Sequence, residues 1–532
     1  MTVTRETLPS SSHPPGPRQP FDVAIVGYGP VGAFAALLLA EADLRVAILE
    51  RGTDVVPLPR AVGLDGETLR AFQRIGLGDA LDAIVQPARE IERVCFTNSK
   101  HEELFGLDIP PHGVNGWRDL LYFDQPEFEA FLRAHVQQNP RITVYPGHEV
   151  DALEQTPAAV ELRGRDLASG EPWNLSAAFA IGCDGASSFV RRALGIEWQS
   201  LGYDQDWLVV DILQNADARL PLVTMQVCDP ARLTTYVCVK DPNRRWEFQL
   251  IDGETHEEML RPERIQELLL PWLPPEHYEL RRAAVYQFHA ATAARWQQGR
   301  VFLAGDAAHQ TPPFLGQGLN AGLRDAVNLA WKLPLVLAGQ CDARLLESYA
   351  EERDGHARDL VQWAVAVGKL METLAAREAG LPDPHADAEA SAGYGQGRTA
   401  PPLRGGVLLD DQTHGDALAG YLLRQPRVSS TEGPESFLDE LFGRGFAVIA
   451  RTQADLHVGA EAQSVLERLG ARSVSLDNLE VTEGRFDELF DSHSTVVLRP
   501  DRYVFGAVAD SWPLDRLILE LGRKLHATLP PA

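Results

Sequence analysis

Residues 22–51, DVAIVGYGPVGAFAALLLAEADLRVAILER, constrain the fold more than any other stretch of the chain. The apolar run from Asp22 to Val26 suits a strand buried on both faces. It breaks at Gly27-x-Gly29-x-x-Gly32, and a helix is expected from Pro30 to Ala42, with Pro30 where a first turn tolerates it. A second apolar run, RVAILE, ends at Glu50. This is a βαβ unit, so the fold must contain a parallel sheet. The first glycine permits a tight turn, the second lets backbone approach a diphosphate, and the third allows helix and strand to pack closely. Around Pro30 and Val31 the helix start offers unpaired N–H groups and the positive end of its dipole. Glu50, 18 residues after Gly32, can accept from both hydroxyls of a ribose, which favours FAD or NAD over NADP. Arg51 is read either along the adenine and phosphates or in a surface salt bridge.

A second stretch is equally unusual. In VFLAGDAAHQTPPFLGQGLN, residues 301–320, an apolar strand stops at the lone acid Asp306 and gives way to Pro312, Pro313, Gly316 and Gly318 before a helix resumes. A simple surface turn needs no such density of glycine and proline; backbone laid against a bulky ligand does. A third segment, GCDGASSFVRR, places Asp184 and Gly185 directly after a strand.

Bulk properties narrow the field. At 532 residues the chain exceeds one ordinary core, so two or three domains are expected. A net charge of −26 argues against nucleic acid or an anionic membrane surface as the main partner. No apolar run reaches a membrane span. The five cysteines, Cys95, Cys183, Cys228, Cys238 and Cys341, form no CxxC pair and no metal-ligand spacing; with no secretory leader apparent, they suit a reducing cytoplasm. No metal site is expected.

Together the three motifs resemble the flavoprotein aromatic hydroxylases, the single-component FAD-dependent monooxygenases of the p-hydroxybenzoate hydroxylase type. LPRAVGLDGETLRAFQRIGL, WLVVDI, RRWEFQL, GQGLNAGLRDAVNLAWKL and LRPDRYV extend the likeness over about residues 21–525, toward the 3-(3-hydroxyphenyl)propanoate hydroxylase branch. The resemblance implies an α/β fold: a Rossmann-type FAD-binding domain interleaved with a mixed β-sheet substrate domain, plus a C-terminal thioredoxin-like domain. The expected boundaries are a disordered tail at 1–20; an FAD-binding domain at 21–90, 124–200 and 295–365; a substrate domain at 91–123 and 201–294; a helix and Gly/Pro-rich linker at 366–440; and the thioredoxin-like domain at 441–532. That last domain contains no cysteine, so it cannot perform thiol redox chemistry, and a packing or dimer role is the default. A homodimer is an open option.

The resemblance also implies roles. Asp306 meets the ribityl hydroxyls, and backbone from Gly316 through Gly318 and Leu319 to Asn320 faces the isoalloxazine. Asn320 either hydrogen-bonds the flavin or caps the following helix. Asp184 and Gly185 form the motif linked to flavin and nicotinamide, Arg60 lies beside the flavin, and Gln125 contacts the ribityl chain. Pro313 stands near the flavin ring. Tyr28 stands where small residues are usual. The implied reaction uses NADH or NADPH as a transient co-substrate, O₂ and a flavin hydroperoxide to hydroxylate a small phenolic substrate. Other flavoprotein oxygenations (Baeyer–Villiger insertion, epoxidation, tailoring of a polycyclic product) and a non-catalytic FAD-binding role are the alternatives. A phenolate is the better nucleophile, so a base or relay is expected; Tyr286, His289 and Tyr236 are candidates, each equally readable as core or surface. His309 is a base or a structural residue. Arg245 is a partner for a substrate carboxylate or a solvated strand arginine.

Overall fold

The computed structural model describes residues 21–87, 92–386, 400–409, 418–430, 433–486 and 488–527. The expected tail at 1–20 and residues 387–399, 410–417 and 431–432 of the expected linker lie outside them.

The βαβ unit forms as its pattern requires: β1 (Phe21–Val26), α1 (Pro30–Glu41) and β2 (Val46–Glu50). β1 lies between β2 and the strand Pro172–Gly182, parallel to both. Val301–Leu303 and Ile142–Pro146 extend the same parallel order outward on either side. Val23, Ala24 and Ile25 are fully buried, as expected for a strand covered on both faces. Helix α1 is almost wholly apolar and equally buried.

The first glycine motif works through close approach. Gly27 has φ +108°, and a Cβ there would stand 2.4 Å from the Cys183 carbonyl oxygen. A Cβ at Gly32 would stand 2.2 Å from the Gly27 oxygen. Neither position admits a side chain, so α1 and the neighbouring strand end meet backbone to backbone.

A second sheet also has eight strands. Its centre is antiparallel: Tyr278–Ala293, Trp198–Gln214, Asn243–Gln249, Arg232–Val237 and Thr224–Asp229 follow one another. Glu92–Thr97 joins it in parallel beside Thr224–Asp229. Trp246, Phe248 and Tyr236 on one face pack with Met259, Ile265 and Leu269 from the two short helices His256–Met259 and Pro262–Leu269. The opposite face turns toward the first sheet.

Two long helices bind the halves. Gly318–Leu337 follows the Gly/Pro loop, and Ser348–Glu378 runs on through the domain boundary expected at 365–366. An alanine-rich amphipathic stretch has no reason to stop there. In the C-terminal part, Arg472–Ser475, Ala447–Ala450, Thr495–Leu498 and Val504–Ala507 form a four-stranded sheet in that spatial order. The first pair is parallel and the others antiparallel, with helices Ala460–Arg468 and Leu514–Lys524 packed together.

A buried ion cluster joins this part to the long helices. Glu352 accepts from Lys332 Nζ at 2.8 Å, Arg499 at 2.7 Å, Asn328 at 2.6 Å and the Val407 N–H at 2.8 Å. Burial alone would raise its carboxyl, but Arg499 and Lys332 hold it down to about 2. Lys332 moves the other way: burial lowers it to about 8, because it shares one carboxylate with Arg499. The carboxylate is therefore the member whose charge the fold secures. Replacing Glu352 by Ala strands the buried Lys332 and leaves Arg499 with Asp501 alone, and is expected to lower the unfolding free energy by about 3–5 kcal/mol in denaturant titrations. The stabilisation is present above the ordinary value of 4.5 and is lost as pH falls toward about 2, so wild type and variant should converge across that window.

Candidate functional site

A cavity of about 680 Å³ runs from the glycine turn of the first sheet to the inner face of the second. Gly27, Gly29, Pro30 and Val31 line one end, and a Cβ at Gly29 would meet nothing within 4 Å. This glycine keeps the cavity open. Gly29 caps α1 without any side-chain hydrogen bond, so the first-turn N–H groups remain free for an anion. Glu50 and Arg51 line the same end. Glu50 accepts from the Tyr28 N–H at 2.8 Å and the Gly52 N–H at 2.7 Å, which fixes its carboxylate at the rim. Tyr28 does not crowd the turn: its ring is buried beneath the Arg133 guanidinium, 4.5 Å from the ring centroid.

Asp184 and Gly185 form the next wall. The Asp184 carboxylate accepts from Ser188 Oγ at 2.5 Å and the Val190 N–H at 3.0 Å, yet burial keeps its carboxyl above the usual range. Asp306 differs. It is exposed on the cavity wall and has no hydrogen-bond partner among the described residues. A carboxylate held on a rigid turn with both oxygens uncommitted is suited to accept from hydroxyls of a ligand.

Pro313, Gly316, Gly318 and Leu319 also line the cavity. Gly316 adopts φ +64° at the end of a short 3₁₀ turn, and the helix Gly318–Leu337 starts with no capping side chain and no acid in its first turn. Its positive end therefore faces the cavity uncompensated, which favours an electron-rich ligand there. Arg60 and Gln125 complete this region. Gln125 Oε1 accepts from the Arg60 N–H at 3.0 Å and the Ala61 N–H at 2.6 Å, so it sets the backbone beside Arg60.

Several expected residues do other work. Gly32 does not line the cavity; it packs against the Gly27 carbonyl. Asn320 also lies outside the lining. Its Oδ1 accepts from Thr68 Oγ1 at 2.8 Å and the Asp65 N–H at 3.2 Å, and its Nδ2 donates to the Gly63 and Gly316 carbonyls. Its amide is committed to two turns and is not offered to a ligand. Tyr286 and His289 sit on the strand Tyr278–Ala293 away from the cavity. Tyr286 is 38% exposed and accepts from Arg282, while His289 pairs with Asp204 toward solvent. Tyr236 is buried among Trp246 and Trp272 and donates to the Pro221 carbonyl. His309 is buried, stacked on Trp296, with Nε2 3.0 Å from Asp325 Oδ2; it is structural. Arg245 lines the cavity but is buried against Asp211 rather than solvated.

Other lining residues escaped the sequence reading. Glu129 and Arg133 reach the cavity from the helix Gln125–Gln138 beside the expected Gln125; their four-residue spacing from it on one helical face was the available signal. Gln226, Thr235 and Glu247 reach it from three adjacent strands. Among the described residues no group of His, Cys, Asp or Glu could hold a metal ion.

The cavity fits FAD: an open helix start beside side-chain-free glycines for the diphosphate, a rim carboxylate for a ribose, and a partnerless carboxylate between them and a second helix start. Two substitutions test that fit. Gly27→Ala forces its Cβ onto the Cys183 carbonyl and should yield protein without flavin absorption. Asp306→Ala removes charge-assisted hydrogen bonds worth about 1.5–3 kcal/mol and should weaken FAD about tenfold to a hundredfold, read by flavin fluorescence on dilution.

Comparison with known proteins agrees with this geometry. Residues 420–522 match the model of the HcaD C-terminal domain. A probable NADH-specific resorcinol 4-hydroxylase of Rhodococcus jostii (strain RHA1) is 33% identical over 525 residues, covering 96% of each chain. A 3-(3-hydroxy-phenyl)propionate/3-hydroxycinnamic acid hydroxylase of Burkholderia cenocepacia (strain HI2424) is 34% identical over 518 residues, 91% of this chain and 93% of that protein. The crystal structure of aklavinone-11 hydroxylase with FAD and aklavinone superposes with a TM-score of 0.80 at 26% identity, over 95% of this chain and 99% of the other. Residues 20–364 match the FAD binding domain family, and the chain belongs to that family.

Proposed function

We propose that this protein is a flavin-dependent monooxygenase that hydroxylates a phenolic ring with O₂ and NADH. One observation carries the reading: a single cavity joins a diphosphate cradle and the free carboxylate of Asp306 to a chamber beneath the second sheet. FAD, when bound, supplies the redox chemistry by which NADH, O₂, a proton and an arene give NAD⁺, water and the hydroxylated arene. The chain's own residues do the rest. The α1 start would hold the diphosphate, Glu50 a ribose and Asp306 the ribityl hydroxyls, which leaves the ring system at the Pro313–Leu319 loop. Phe314, with Trp207 and Phe288 packed around it, gives that loop an apolar backing that keeps water from the reacting centre. The names of the two relatives support a phenolic substrate, and the first supports NADH as the reductant.

The C-terminal part reads as a thioredoxin-like domain, supported by its strand order and by the parallel first pair followed by two antiparallel ones. The two large sheets support the domain division proposed from the sequence, although His309–Gln310 pairs into the second sheet and the later part of the long helix Ser348–Glu378 packs against that sheet. The free cysteines support a reducing compartment, and no helix among the described residues is long and apolar enough to cross a membrane.

The test uses FAD-loaded protein. A phenol should accelerate NADH oxidation and yield a product with one added hydroxyl whose oxygen comes from heavy-labelled O₂. Incorporation from labelled water instead, or NADH oxidation that no phenol stimulates, overturns the reading.

A further inference from the structure

The inner face of the second sheet carries a polar row that the FAD cradle does not use. Glu247 on Asn243–Gln249 lies beside Thr235 on Arg232–Val237, and Thr235 lies beside Gln226 on Thr224–Asp229. Thr235 Oγ1 donates to Gln226 Oε1 at 2.6 Å, and Gln226 Nε2 reaches the Phe314 carbonyl at 3.4 Å. The row thus runs to the loop against which the flavin ring would lie. At its far end Glu247 is only 3% exposed, lines the cavity, and has no hydrogen-bond partner among the described residues. The nearest cation, Arg245 Nη1, is 3.9 Å away.

Arg245 is not available to satisfy it. Its guanidinium makes four hydrogen bonds, to both oxygens of Asp211 and to the Pro59 and Arg60 carbonyls. Arg282 is turned likewise to the Pro59 carbonyl, Asp211 and Tyr286. A buried carboxyl without a donor is costly, and the described residues offer it none. A phenolic O–H entering the cavity is such a donor. A substrate bearing its own carboxylate would instead meet a like charge at this end, with the neighbouring guanidinium already committed. Arg60, the cation near the loop, is 56% exposed and lies 3.9 Å from Glu129.

Resting on the phenol-hydroxylase reading, we propose that Glu247 receives the substrate's hydroxyl and accepts its proton, and that the enzyme therefore acts on uncharged phenols such as resorcinol rather than on phenols with a carboxylate side chain. In this step the phenolic O–H bond breaks, the electron pair stays on the phenolate oxygen, and the proton moves to the Glu247 carboxylate. The ring gains electron density where oxygen is to be added. Burial pushes the Glu247 carboxyl up to about 7 against the pull of Arg245, with Asp211 opposing and Arg282 assisting that pull. These groups face it from its own strand and from Trp198–Gln214 and Tyr278–Ala293, while Arg232–Val237 contributes only the neutral Thr235 beside it. The acceptor is thus ionised above that pH and protonated below it.

The experiment measures kcat/KM and product yield per NADH for resorcinol and for 3-(3-hydroxyphenyl)propanoate on either side of pH 7, in FAD-loaded wild type, Glu247→Gln and Glu247→Asp. Wild type should favour resorcinol, with kcat/KM rising as pH passes about 7. Glu247→Gln should lose about 10²-fold or more in kcat/KM for resorcinol, together with that inflection, and should divert NADH to peroxide. It should also narrow the discrimination against the propanoate, and Glu247→Asp should restore the inflection. A Gln variant with an unchanged rate and pH profile overturns the proposal, as does a wild type that prefers the propanoate. If Glu247→Gln does not fold, the wild-type preference and pH profile still decide. A wild type that hydroxylates neither compound nor any other phenol points instead to failure of the underlying functional reading.

Discussion

The arrangement of the site rests on one buried carboxylate, Asp325. It is fully inaccessible and accepts from the Gly305 N–H at 3.0 Å and Arg353 Nε at 2.8 Å, with His309 Nε2 at 3.0 Å. Burial works against its charge, but Arg353 and His309 overcome that and hold the carboxyl below its usual value. A charge is tolerable there only because donors meet it from several sides. The consequence lies next door. With Gly305 and His309 both pinned to the helix Gly318–Leu337, the turn between them is rigid and Asp306 is left on the cavity wall with no hydrogen-bond partner among the described residues. The free carboxylate is a product of the buried one.

The same logic places Arg60. Its backbone N–H and that of Ala61 point to Gln125 Oε1, while the Pro59 and Arg60 carbonyls accept from Arg245, on the opposite sheet. The segment is gripped from both faces, its polar backbone atoms satisfied by side chains rather than by secondary structure. The second sheet therefore does more than cover the substrate. It fixes a stretch of the FAD-binding half, and the Pro59 and Arg60 carbonyls would lose their Arg245 donor if the two parted.

The parts of this structure most legible in the sequence are those dictated by backbone. A continuous apolar run predicts β1, and Gly27 and Gly32 mark where no side chain fits. Asp306, alone between an apolar strand and a glycine-rich loop, marks a ligand. The second sheet was harder because both its faces are buried. Strand alternation puts Arg245 and Glu247 on one face and Trp246 and Phe248 on the other, and a half-exposed strand would turn the charged pair to water. Here the aromatic face packs under the helices at 256–269 and the charged face closes the cavity. Asn320 and His309 were left with two readings each for a related reason: in a motif rich in ligand contacts, a polar side chain can equally be the brace. Composition distinguishes neither role; only the partners of each atom do.

The C-terminal part, which has no thiol chemistry, enters through this bracing. Tyr503 donates to Glu67 Oε1 at 2.9 Å, Glu67 Oε2 accepts from Arg324 at 2.6 Å, and Arg324 meets Asp65 at 2.5 Å. The Asp65 N–H is held by Asn320, whose amide also holds the Gly316 carbonyl at the cavity. Burial opposes the Arg324 charge, but Asp65 and Glu67 secure it. Together with Glu352 and Arg499, this series means that the C-terminal part supplies partners for charges the long helices bury. Without it, Glu352 would lose Arg499 and Glu67 would lose Tyr503. Its contribution to the site is thus electrostatic and indirect: it makes affordable the polar interior that sets the turns at Gly63–Thr68 and Gly316–Asn320.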